Sequence, residues 1–286
     1  KDVDDKLGKI PFYKPSESIY NTLVELITDQ SPQKRKDASV QRFEYYMSSN
    51  NKKNIIDAYY GETLRYQEKY KSKKMFYPFR GDVEKYLENS SSYVVGIKEL
   101  LEKTGKKGWE GAYKVFQEKI KTYDDFVKTD ILPKSRKTPN LPLNVYKLVL
   151  KKVGVDREPE DMIEIGKREY KILYKKYEEL AKKLAKKHNL KQETPLAVVT
   201  FLKKKQVSSI EEAKVLYYSA SEQLENIIRK NDLVTLPSRK LLIRFAGDAE
   251  SKALPIPHLV PPPIIDNNGI LPEFVVPTSS SGKLPF

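Results

Sequence analysis

The chain contains no cysteine. That absence removes disulfides, thiol nucleophiles and cysteine-ligated metals together. It leaves the compartment open, because a chain of 286 residues can bury a core that needs no covalent staple. Histidine is nearly as scarce. The two present, His188 and His258, are far apart in sequence, so the helical pair four residues apart that binds zinc in gluzincin-type peptidases is missing. No glycine-rich loop of the phosphate-cradling kind occurs, and a serine triad would depend on one of two poorly placed histidines. No run approaches the roughly 20 apolar residues of a membrane-spanning helix. Lys1 to Asp5 lacks the pattern of a signal peptide, which in an internal piece of a longer protein says nothing of the compartment.

Charge and tyrosine are plentiful instead. Apolar residues make up 39% and charged residues 32%, the balance of a soluble, helix-rich protein. The net charge of +14 invites a nucleic-acid reading. Lysine outnumbers arginine about four to one, however, and the lysines are interleaved with glutamates along the whole chain. Recognition of phosphates and bases favours the forked guanidinium, so the charge reads as a solvated basic surface and nucleic acid is not an expected partner. The 19 tyrosines fall mostly on apolar helix stripes and are expected in the core.

Periodicity predicts helices through most of the chain, with no internal repeat. Phe43, Met47, Ile55, Ile56, Tyr59, Tyr60 and Leu64 keep helical spacing between about Pro32 and Tyr70, with a break near Ser48 to Asn51. A helix is predicted from Trp109 to Asp130, and another from Leu143 to Val153, closed by Gly154. The clearest runs from Pro159 to about Lys187, with Tyr170, Leu173, Tyr174, Tyr177, Leu180, Ala181, Leu184 and Ala185 in one stripe. Thr194 and Pro195 open a short helix through Lys205. Ser208 with Glu211 has the form of a capping box for a helix to Lys230, whose buried side is expected to hold Ala213, Leu216, Ala220, Leu224 and Ile227. Glu160, Asp161 and Glu164 suit the positive end of a helix and need no catalytic role. After Asn231 the helical period stops. Lys240 to Phe245 alternates like a strand and Phe274 to Val276 is a second candidate. The expected fold is therefore mainly α: a multi-helix lobe over 1–232, then a small β-sheet with long loops over 233–286.

Several segments together resemble a bacterial family catalogued as domain of unknown function 885, whose members look like zinc metallopeptidases. They are Tyr59-Tyr60-Gly61, Gly105-Lys106-Lys107-Gly108-Trp109, Ile131 to Arg136, Leu141-Pro142 with Tyr146, Gly154-Val155-Asp156 and Leu233 to Pro237. The most specific are Ile243 to Ser251, Pro255, Pro257-His258, Pro261-Pro262, Asn267-Asn268-Gly269 and Glu273 to Pro277. The resemblance implies half of a bilobal helical metallopeptidase. A downstream helix with a His-Glu-x-x-Pro-Gly-His motif would hold the zinc, and the motif glutamate would serve as general base. None of those residues stands in this chain, so the resemblance assigns it no catalytic residue and no metal ligand; zinc is expected in the parent protein alone.

By position, the resemblance implies that Ala253 to Leu259 faces the peptide substrate, with Pro257 in it and His258 donating to a substrate carbonyl. Arg244 has two readings, a buried ion pair with Glu250 or a bidentate contact with a peptide carboxylate, against a plain solvent-facing arginine. Glu250 and Ser251 stand as candidates beside it, or as the cap of a short helix. The expected function is the non-catalytic upstream portion of a zinc peptidase, with a peptide and the zinc-bearing segment as partners and a periplasmic or exported setting. The alternative from the residues themselves is a basic helical binding or scaffold protein that engages nucleic acid or an acidic partner.

Overall fold

The computed structural model describes residues 7–47, 54–72, 74–205, 207, 209–265, 267 and 269–278. The fold is mainly α with one small sheet, as the periodicity predicts. Helices α1 (Pro15–Leu26), α2 (Gln33–Met47), α3 (Ile55–Lys69), α4 (Arg80–Lys103) and α5 (Glu110–Phe126) come first. Next are α6 (Leu143–Lys152), α7 (Pro159–Lys187) and α8 (Pro195–Lys203). The chain ends its described part with α9 (Ile210–Lys230), β1 (Leu242–Phe245), α10 (Asp248–Ala253), β2 (His258–Val260) and β3 (Glu273–Val276).

Two compact units result, one from residues 1–139 with 209–285 and one from 140–208. The sheet does not separate from the helices before it, because α10 packs on α4 and α1, and α9 packs on β1.

Local chemistry explains most element ends. Asn54 caps α3 by accepting the Ile56 N–H at 2.9 Å. The predicted helix from Trp109 to Asp130 runs on through a π turn, Val127–Ile131. Pro133 lies just beyond and has neither an N–H to donate nor room for the carbonyl four residues back, and the Leu132 N–H bonds five residues back to Val127. Ser209 caps α9, its hydroxyl accepting the Glu212 N–H at 3.1 Å; Ser208 lies outside the described residues, as does the break predicted at Ser48 to Asn51.

The core of the first unit lies between α1, α2, α4 and α5, around Phe43, Tyr86, Tyr93, Ile97, Leu101, Phe116, Ile120 and Tyr123. Burying a tyrosine calls for an acceptor for its hydroxyl: Tyr113 donates to the Val94 carbonyl at 3.0 Å and Tyr123 to that of Tyr13 at 2.9 Å. Tyr86 donates to Asp124 at 2.8 Å. Burial raises the Asp124 carboxyl above its ordinary value, against hydrogen bonds from Ser90 and Tyr86 that pull it down.

Other stripes are left open. Ala181 and Ala185 of α7 are buried with Val198 of α8, but Tyr170, Leu173, Tyr174, Tyr177 and Leu180 are exposed. On α9 only Ala213 is buried; Leu216, Ala220, Leu224 and Ile227 face outward, contrary to expectation. Helical period identifies an apolar stripe, whereas burial also requires a neighbouring element across it.

The sheet has strand order β1-β3-β2, with β1 parallel and β2 antiparallel to β3. The two predicted strands form, and β2 is a third that the alternation does not reveal. Three residues between proline-rich segments are too few for a period-two pattern.

Gly96 of α4 sets where α10 sits. A Cβ there would fall 2.6 Å from the Ala249 Cβ and 2.7 Å from Tyr20 Cε2. Gly96→Ala is expected to cost about 1–3 kcal/mol by overpacking. Urea unfolding with an unchanged midpoint would show that this crossing is loose. Asp124→Asn keeps an acceptor for Tyr86 and removes the buried charge. The penalty of that charge is absent below the ordinary carboxylate range and present above the raised one. The stability difference should therefore move in the variant's favour from about pH 3 to about pH 7. A pH-independent difference would exclude the charge as its source.

Candidate functional site

Strand β1 alternates as an amphipathic strand must: Ile243 is buried on one face and Arg244 projects from the other. The chain then turns at Gly247 into α10, which returns Glu250 to Arg244. Arg244 Nη1 and Nη2 each donate to a different Glu250 carboxylate oxygen, both at 2.7 Å, a closed fork. Its Nε donates to Glu273. Register explains that contact. Arg244 pairs with Val275 across β1 and β3, and Glu273 stands two residues along on the same face.

The network continues into the helices. Glu273 accepts from Gln30 Nε2 at 2.6 Å. Gln30 also pairs with the backbone of Leu271, donating to its carbonyl at 3.2 Å and accepting its N–H at 2.9 Å. Gln30 lies in the turn between α1 and α2, so one side chain ties that turn to the strand. Burial pulls the Arg244 guanidinium down. The hydrogen bonds and charges of Glu250 and Glu273 outweigh it and hold the group above its ordinary value.

Above this floor opens a cleft of about 720 Å³. One wall is helical, from Val24, Glu25 and Thr28 of the α1 region to Ser31 and Arg35 at the start of α2. The other is β2 with Ala253, Leu254 and the prolines 261–263. β2 is an edge strand, with β3 on one side and no strand on the other among the described residues.

The structure thus brings Arg244, Glu250, Ala253 and His258 to one cleft, and leaves Ser251 and Pro257 off its lining. Ser251 is buried inside α10 and accepts the Thr278 N–H at 2.9 Å, a tie between α10 and the exit of β3. Of the two readings of Arg244 the ion pair with Glu250 is formed. His258 Nδ1 lies 3.0 Å from the Ile256 carbonyl, so Nδ1 must carry the hydrogen. In the neutral ring Nε2 is then an acceptor, and donation to a substrate carbonyl needs the imidazolium.

Sequence reading missed Gln30, Glu273 as a partner of Arg244, and Arg35. Glu273 had a signal, a lone charge at the head of an apolar strand. Gln30 had none.

Zinc does not fit the residues gathered here. No group of three or more histidine, cysteine, aspartate or glutamate side chains is placed to hold a metal among the described residues. The two buried carboxylates are held by a guanidinium, which stands where a cation would have to be. What the site offers is a cleft with an open strand edge, an apolar wall and a rigid charged floor.

The family described as bacterial protein of unknown function (DUF885) matches residues 16–278. The chain belongs to that family. No curated protein and no solved structure matches it. The DUF885 match spans both walls of the cleft and all three strands. No helix among the described residues is long and apolar enough to cross a membrane.

Removing the cation tests the floor. Arg244→Ala would leave Glu250 and Glu273 buried without a counter-charge. Breaking such a cluster costs about 3–5 kcal/mol, toward the low end because the arginine side chain is 27% exposed. Thermal melts of the variant that track the parent at every pH would rule this out.

Proposed function

We propose that this chain is the substrate-binding portion of a zinc-dependent peptidase, hydrolysing peptides when joined to a zinc-bearing segment it does not itself contain. The observation that carries the reading is the cleft: an extended peptide can add to the open edge of β2, its backbone N–H and C=O groups completing the strand. The wall opposite stands ready for its side chains. Peptide backbone is the ligand such an edge suits best, since β-addition uses groups that every peptide has.

In this reading the chain supplies binding and orientation only. The Arg244 network fixes β1, α10 and β3 relative to one another, and so holds the edge strand still. The metal, when present on the other segment, would polarise the scissile carbonyl and activate water. His258, charged, would donate to a substrate carbonyl from the head of β2. An exported or periplasmic setting accompanies this reading.

The test is the chain expressed together with its zinc-bearing segment. Unstructured peptides should be cleaved, a chelator should abolish cleavage and zinc should restore it. Leu254→Trp, which fills the cleft wall, should raise KM at least about fivefold with kcat little changed, the signature of lost binding. Chelator-insensitive turnover, or none, would sink the proposal. Steeply salt-dependent retention of the chain on heparin in that case would favour the basic binding-protein alternative.

A further inference from the structure

Arg244 cannot be the residue that meets a peptide carboxylate. Its fork is closed on Glu250, its Nε is given to Glu273, and its single positive charge already faces two negative ones. A third carboxylate arriving there would meet net negative charge.

We propose that Arg35, on the opposite wall, is the specificity residue of the cleft and binds a carboxylate of the peptide laid along β2. The inference rests on reading the cleft as a peptide site and names the chemistry it selects. Arg35 stands in the first turn of α2, lines the cleft and is exposed. Its guanidinium has no ion-pair or hydrogen-bond partner among the described residues. It is therefore the one arginine of the lining whose planar fork is open, and that fork matches a carboxylate in two parallel hydrogen bonds.

A second observation supports the same end of the cleft. Ser31 and Thr28 both line it, and Ser31 is buried. The Ser31 hydroxyl accepts the Thr28 N–H at 3.2 Å, and the two hydroxyl oxygens lie 2.9 Å apart, sharing one hydrogen. Whichever hydroxyl donates to the other, the second keeps a hydrogen with no protein acceptor in that pair. A spare hydroxyl donor and an open guanidinium on one wall make a recess short of an acceptor. Glu25, which also lines the cleft, offers an anion no second site. The apolar residues Val24, Ile270 and Leu271 lower the local dielectric, which strengthens the pairing.

The carboxylate has two possible sources, the C-terminus of the peptide or an acidic side chain. Three probes separate them: N-acetyl-Ala-Leu-Phe-Ala as free acid, the same peptide as C-terminal amide, and an amide with Asp in place of its last Ala. Each would be titrated into the purified chain, with dissociation constants and backbone-amide shifts in β2 read together. At least one carboxylate-bearing probe should bind about tenfold tighter than the neutral amide. The free acid alone would identify the C-terminus, and the Asp peptide alone the side chain. Arg35→Gln should abolish the advantage and leave the affinity of the neutral amide unchanged, and Arg35→Lys should keep part of it. Because Arg35 is exposed, the variants should fold, which circular dichroism checks. Equal binding of all three probes, or an advantage that survives Arg35→Gln while β2 still shifts, overturns the assignment and leaves the peptide cleft standing. No shift in β2 with any probe removes the peptide reading itself, and this inference with it.

Discussion

One arginine between two buried carboxylates organises the C-terminal part of this protein. Arg244 joins a strand, a helix and a second strand that are separate in sequence, and Gln30 extends the tie to the turn between α1 and α2. Such clusters add little net stability, since the desolvation of the charges offsets most of their attraction. Their effect is on geometry. Any arrangement that moves β1 relative to α10 or β3 separates buried opposite charges, so one arrangement is strongly preferred. The cleft, whose floor is this cluster, inherits that definition.

The position of the cluster rests in turn on a close contact. α10 can carry Glu250 to Arg244 only because Gly96 lets Ala249 approach the axis of α4. Packing of the aromatic core and placement of the charged floor are thus one problem. A change in the helix crossing would reach the cleft without any residue of the cleft being altered. The proposed role, a binding wall, suits a site whose buried polar side-chain atoms are paired among the described residues.

Much of the helical organisation was legible because it rests on local rules. Pro159 and Pro195 mark helix starts, Gly154 follows a helix end with positive φ, and the aromatic spacing of α5 predicted the buried Tyr113, Phe116, Ile120 and Tyr123. The reading failed where burial needed a partner. The stripes of α7 and α9 have the right period, yet most of their large apolar side chains are exposed. It also failed for β2, whose three residues exist as a strand only because β3 offers them hydrogen bonds. The candidate site was partly legible: Arg244 and Glu250 stood in one short segment, six residues apart. Gln30 and Arg35 lie more than 200 residues from them, and nothing local marks either as a cleft residue.

By itself the sequence determined the helical class, β1 and β3 as strand candidates, the absence of cysteine chemistry and the lack of a histidine pair for zinc. These follow from composition and from periods of two and 3.6 residues, which every chain carries locally. Tertiary structure alone decided that Arg244 is spent on Glu250 and Glu273, that Ser251 is an internal tie, and that Arg35 is left open across the cleft. The reason is physical. A side chain's hydrogen-bonding capacity is a property of its residue type, but whether that capacity is already used depends on which distant groups the fold brings within 3 Å or so of it.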